Sequence, residues 1–212
     1  MNQNKLLRII LMLGLGLWFF CILYRTSISD FFLDGFLLLL IASLGICIYA
    51  WSVIKNINEF LIIKNKNSYL TTLIGLVLIL SNIGLFYILD SRTNAPTLLK
   101  GFYDGGFNRF MVDFNKNGNY VMANGSGLGQ SYFYGSYSIQ DSVIILNVSN
   151  IDNCIKTNTL LVQKYQGYDS VSNDSSLIPY SANYIVQLDG KKRVMKYEFK
   201  FCVIEDNRSS IK

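Results

Sequence analysis

The chain contains no histidine, only two prolines and five alanines. Without an imidazole, Ser-His-Asp and Cys-His catalysis, histidine-ligated zinc and histidine acid–base chemistry are excluded. An enzyme would have to work through paired carboxylates or a Ser-Lys dyad, and no spacing singles one out. Asp104, Asp113 and Asp141 stand in turn-type surroundings, where a short acid serves the backbone. The expectation is a protein that is not an enzyme and carries no cofactor and no catalytic set. Charge is also sparse, at 16% of residues with a net +5. Residues 91–212 hold 13 basic and 10 acidic groups, so no basic face is available for nucleic acid. The one cluster, Lys191-Lys192-Arg193, follows Asp189-Gly190 and reads as a solvated hairpin turn.

Long apolar runs are missing after residue 90 and dominate before it. They are Leu6–Tyr24, Phe31–Ile54 and Leu70–Leu89, and they lift the mean hydropathy to +0.30. A bilayer core takes about 20 helical residues, and a helix satisfies its own backbone there. Three transmembrane helices in a domain of residues 1–90 follow, with the lipid bilayer as the first partner. A cleaved leader is the alternative for the first run. Trp18, Phe19 and Phe20 before Cys21 give no small-residue cleavage point and no lipid-attachment context, so an uncleaved span is expected.

Orientation follows from Lys and Arg in the short flanks. With the N-terminus in the cytoplasm, Lys5, Arg8, Lys55, Lys64 and Lys66 lie inside, and Arg25 and Arg92 outside. Residues 91–212 are then extracytoplasmic. Scarce alanine with abundant Asn and Ile fits an AT-rich bacterial genome, which makes the expected location a bacterial inner membrane with a periplasmic or extracellular domain.

Two polar residues inside the runs need an account. Asp34 begins the second run, where it can reach the interface at the helix's positive end. Asn82 is central in the third, and a hydrogen bond to a neighbouring helix or a partner's helix explains it better than a transport site. The spans contain no GxxxG pair. The connector Lys55–Tyr69 either prolongs the second helix or lies in the interface.

Residues 91–100, with Pro96, read as a linker, and 101–212 as a β-domain. Phe110, Val112 and Phe114 alternate into a hairpin through Asn115-Lys116-Asn117-Gly118 and on to Tyr120–Ala123. Ser131–Ile139, Val143–Val148, Thr159–Tyr165 and Tyr184–Leu188 follow. Arg193–Val203 alternates with Met195, Tyr197, Phe199, Phe201 and Val203 on one face. Gln166–Tyr180, rich in Ser and Asp, reads as a long loop. About seven short strands favour a small antiparallel barrel or sandwich, because closure hides sheet edges.

The segments Phe114-Asn-Lys-Asn-Gly-Asn-Tyr120 and Tyr134-Gly-Ser-Tyr137-Ser-Ile139, running on to Leu146, resemble the turn-and-strand rhythm of bacterial lipocalin-like envelope domains. The resemblance covers about 35 residues and implies a small antiparallel barrel with no catalytic residue. The chain departs from that pattern in having three spans where such domains commonly carry a lipid anchor.

Other motifs stop short. Asp113-Phe-Asn115-Lys-Asn117-Gly118 fits the first half of a calcium loop, but its twelfth position is Asn124, which lacks the bidentate carboxylate. A plain hairpin turn is the expectation, with no metal. Gly125-Ser-Gly127-Leu-Gly129 lacks the following helix that a phosphate cradle needs. Cys154 and Cys202 lie in the outer domain, where a disulfide closing 49 residues would add about 4 kcal/mol; sequence does not fix whether their Cα atoms come close enough. Among crowded aromatics, Tyr132, Tyr134 and Tyr137 are the candidate binding surface, with core packing as the competing role. The functional expectation is an integral membrane protein whose outer β-domain binds a protein partner or envelope ligand, an immunity-type protein being one version. The alternative is an accessory subunit of a transport or secretion complex acting through its helices, with Asp34 and Asn82.

Overall fold

Each apolar run is a helix longer than the run itself. The computed structural model describes residues 3–64, 69–170, 177–196 and 198–210. Helix α1 covers Gln3–Thr26, α2 Asp34–Ile63 and α3 Leu70–Thr93. All three are long and apolar enough to cross a bilayer, and only 11–17% of their most apolar windows is buried inside the protein. Helices apolar on every side, with most of that surface outward, fit lipid as the solvent. This is a membrane protein. A short extended segment, β1 (Ser29–Phe31), occupies the turn between α1 and α2. Helix α2 continues well past Ile54, so the connector prolongs the helix. It ends at Lys64, whose N–H makes the last helical bond to the Phe60 carbonyl at 2.8 Å and whose left-handed backbone (φ 52°) stops the helix there.

The chain divides into two compact units, Met1–Thr93 and Asn94–Lys212. In the first, α1 packs against both α2 and α3. Gly75 of α3 faces the Tyr49 ring, which lies 2.5 Å from where a Cβ would stand, so glycine there is a condition of the packing.

The second unit is a closed antiparallel barrel of eight strands. They are β2 (Thr97–Gly105), β3 (Asn108–Asn115), β4 (Asn119–Ser126), β5 (Gly129–Gln140), β6 (Val143–Leu146), β7 (Thr159–Ser170), β8 (Leu177–Gln187) and β9 (Phe201–Asp206). Each pairs with its neighbours in sequence, and β9 returns to β2 through Phe102↔Cys202 and Gly101↔Val203. Closure leaves no general edge. Phe110, Val112, Phe114, Tyr120, Met122, Ile144, Leu160, Ile185 and Phe201 fill the interior and are at most 2% exposed. Gly101 makes room among them, since a Cβ there would stand 2.8 Å from Ile185 Cδ1. The link between β6 and β7 packs Ile151 and Ile155 onto the same core. Asn150, Asp152 and Asn153 take left-handed backbone there, which Asn and Asp tolerate. Gln187, 1% exposed, clamps the link: its amide donates to the Cys154 carbonyl and accepts from the Lys156 N–H, both at 2.7 Å.

Three sequence expectations change. The barrel closes with eight strands rather than seven, because part of the predicted linker 91–100 is strand β2 and its start is helix; the connector is Asn94–Pro96. A register shift at the start of β2 buries Leu98 and Leu99 together, which erased the alternation that marks a strand. The strand expected over 193–203 is regular only from Phe201. Leu188 bridges Val194, but Ile185 pairs with Phe201, so the residues between leave the ladder while Phe199 and Phe201 still reach the core. Tyr197 lies outside the described residues. Finally, most of the loop expected over 166–180 is hairpin: β7 runs to Ser170 and β8 starts at Leu177, with residues 171–176 outside the described set. Strand β6 pairs with β7 only as far as Leu161, and β9 pairs with β8 only at Tyr184 and Ile185. Beyond these points the described residues of the hairpin are paired only to each other.

Candidate functional site

Strand alternation sorts the candidate aromatics. On β5, Phe133, Tyr137 and Ile139 pack on the core, and Tyr132 and Tyr134 take the opposite, outer face. The two outer rings are stacked, with centroids 6.5 Å apart. Their ladder partners are Ala123 and Val121, both buried although they lie on the outer face of β4. Tyr137 is thereby removed from the candidate surface. Its ring meets Phe114 at 5.0 Å and its hydroxyl donates to the Asn115 carbonyl at 2.7 Å. Burial, aided by the Asp113 charge, pushes its phenol up to about 12. The neighbouring glycine of that motif has a packing cause. A Cβ on Gly135 would fall inside van der Waals contact of Tyr120 Oη and Cζ and 2.5 Å from Asn147 Oδ1. Burial of Tyr120 likewise raises its phenol.

A second outer feature was not read from sequence. Gln163, Tyr165, Tyr184, Val186 and Lys200 line a dent of about 280 Å³. The Tyr165 and Tyr184 rings meet edge to face at 5.9 Å, and the Lys200 ammonium stands 6.0 Å from the Tyr165 ring centre. The register Tyr184↔Cys202 and Ile185↔Phe201 brings Lys200, just before β9, beside Val186 and these rings.

The remaining candidates of the barrel unit hold structural positions. Asp113 pairs with the Lys100 ammonium at 3.3 Å and accepts from Thr97 Oγ1 at 3.1 Å. Asn117 accepts the Asn119 N–H at 3.0 Å, and Gly118 takes φ +83°, which makes the calcium-like segment a hairpin turn. The side chain of Asn124 donates to Asp152. Among the described residues no cluster of three or more Cys, Asp or Glu could hold a metal. The Asp189 carboxylate accepts the Lys191 and Arg193 N–H groups, each at 2.8 Å, and the Arg193 bonds hold its carboxyl below the usual range. That turn uses the Lys191-Lys192-Arg193 cluster. The Cys154–Cys202 bridge is not formed; both thiols are free. Cys154 packs on the core, whereas Cys202 follows the inward Phe201 and so lies on the opposite face of β9.

In the helical unit Asp34 is fully engaged. It forms an ion pair with Arg25 and accepts the Phe31 N–H at 2.9 Å, which fastens the α1–α2 turn. Asn82 donates to the Gly16 carbonyl of α1 at 3.3 Å and to the Leu78 carbonyl at 2.9 Å. Its Oδ1 is buried without a donor. It lies in an apolar groove of about 500 Å³, lined also by Met12, Gly16, Gly45, Tyr49 and Phe86. The strongest polar feature of this unit was missed. Arg8, 2% exposed, donates to the Asn4 and Ser52 carbonyls (3.3 Å each), Asn56 Oδ1 (3.1 Å) and Glu59 Oε1 (2.8 Å). Asn56 in turn donates to Thr72 Oγ1 at 2.7 Å, so one network joins all three helices. The signal for it in the sequence is the i, i+3 pair Asn56 and Glu59, which falls on one side of the prolonged second helix.

Comparison with protein-family models, curated proteins and solved structures finds no match to this chain.

Proposed function

We propose that this is a non-enzymatic membrane protein whose barrel lies outside the cytoplasm and binds a protein partner or an envelope ligand on its outer surface. The filled interior carries this reading. Aromatic and aliphatic side chains occupy the space in which a wider barrel would hold a small molecule, so recognition falls to the outer wall. There the stacked Tyr132 and Tyr134 supply large, rigid, amphipathic contact area. The charge bias of the flanks supports an inside N-terminus, and scarce alanine with abundant Asn and Ile supports a bacterial inner membrane. An immunity-type protein that shields its cell from a membrane-acting or periplasmic toxin is the specific version. Cross-linking of the full-length protein in its native membrane, wild type against Tyr132→Ala/Tyr134→Ala, tests the surface. A discrete adduct lost in the variant supports it, and an adduct that persists unchanged refutes it.

The groove around Asn82 favours a second reading, an accessory subunit that packs on the helices of a transport or secretion complex. Interhelical contacts in lipid use small residues and polar side chains, and Gly45 and Asn82 are of those types. A Cβ on Gly45 meets nothing within 4 Å. Gly45→Leu fills the groove without disturbing the bundle, so loss of function in that variant with an intact outer surface would move the assignment to the helices.

A further inference from the structure

Barrels escape the edge problem by closing, and this one closes except at one place. Beyond Leu161 strand β7 has β8 on one side, and the β6 ladder has ended. Between Gln166 and Ser170 no strand is paired to its other side among the described residues. The partner strand is in a similar position, because β9 pairs with β8 only at Tyr184 and Ile185. A two-stranded ribbon is marginal by itself in water and gains from a third strand. Natural edges are usually blunted by lysine, proline or a bulge. On β8 Pro179 does this, since it has no N–H to offer. On β7 nothing does. No Lys or Arg occurs from Tyr165 to Gly190, and the register with β8 is unbroken from Leu160↔Gln187 to Ser170↔Leu177.

We infer that the outer edge of β7 over Gln166–Ser170 is a docking edge that takes an extended segment of a partner protein as an added strand. This rests on the reading of the barrel as a protein-binding domain and names the surface and the partner's conformation. The chemistry on offer is a row of main-chain donors and acceptors, which only another extended backbone matches along its length. Side chains set the specificity and the backbone supplies the affinity.

The test uses the full-length protein in lipid nanodiscs and a displayed library of random twelve-residue peptides. Selected peptides are resynthesised with N-methyl groups on one or the other alternating set of amides. Hydrogen exchange then locates the bound peptide. The expected result is protection at residues 166–170. Methylation of one amide set should weaken binding about tenfold or more for each lost bond, and methylation of the other set should not. Peptides that bind but protect another part of the barrel would overturn the edge assignment and leave the binding-domain reading standing. Enrichment of no peptide would count against both. Protection of 166–170 that rises with protein concentration and needs no peptide would assign the edge to a second copy of this chain and overturn the proposal.

Discussion

Replacing Arg8 by leucine should loosen the helical unit more than removing Arg8 and Glu59 together. Arg8 is 2% exposed and ties α1 to Ser52, Asn56 and Glu59 of α2. In Arg8→Leu the Glu59 carboxylate, 31% exposed, loses its counter-charge, and the buried Asn56 Oδ1 loses a donor. Stranding one partner of a fully buried ion pair costs about 3–5 kcal/mol. Glu59 keeps partial access to water, and hydrogen bonds between membrane helices average only about 0.6 kcal/mol each. A loss of about 2–3 kcal/mol is expected for the single variant. Arg8→Leu/Glu59→Leu leaves no stranded charge and should recover most of that, to within about 1 kcal/mol of wild type. Steric trapping of the full-length protein in bicelles, with probes on α1 and α3, measures the unfolding free energy. A double variant whose loss equals the sum of the two singles would refute the coupling and with it the view that this network holds the helices together.

Three further outcomes follow from the barrel. Gly135→Ala forces a methyl against the Tyr120 ring and should destabilise the domain by about 1–3 kcal/mol, lowering the melting temperature by several degrees. Gly127→Ala, with nothing within 4 Å, should be neutral, and equal melting of the two variants would contradict the packing. Tyr137, whose folded phenol is raised from 10.0 to about 12, contributes stability present below pH 10 and lost as pH rises through that window. Absorbance titration of wild type minus Tyr137→Phe should show one tyrosine ionising near 12; a difference centred on 10 would remove the effect. Alkylation of the folded protein followed by mass spectrometry should find both Cys154 and Cys202 as thiols, and Cys154 should react slowly because burial and then Asp152 raise its pKa. A mass lower by two hydrogens, with both cysteines unlabelled, would show a bridge.

Sequence alone determined what depends on composition and short-range pattern. Three apolar runs dictate three membrane helices, because hydrocarbon accepts no unpaired backbone. Alternation at Phe110, Val112 and Phe114, with turn residues through Gly118, dictates a hairpin because side chains on a strand repeat every two residues. Tertiary structure decided everything that depends on pairing across distance. Leu98 and Leu99 look like a linker until a register shift buries both. Residues 193–200 look like a strand until β8 pairs with Phe201 instead. Tyr132 and Tyr137 belong to one aromatic cluster in the sequence, and only the inside and outside of a closed barrel send one to the surface and the other to the core. Arg8 and Glu59 are 51 residues apart, and only the packing of α1 on α2 brings their charges to 2.8 Å. Hydrophobic pattern is local, whereas an ion pair, a register and a free edge belong to two segments at once.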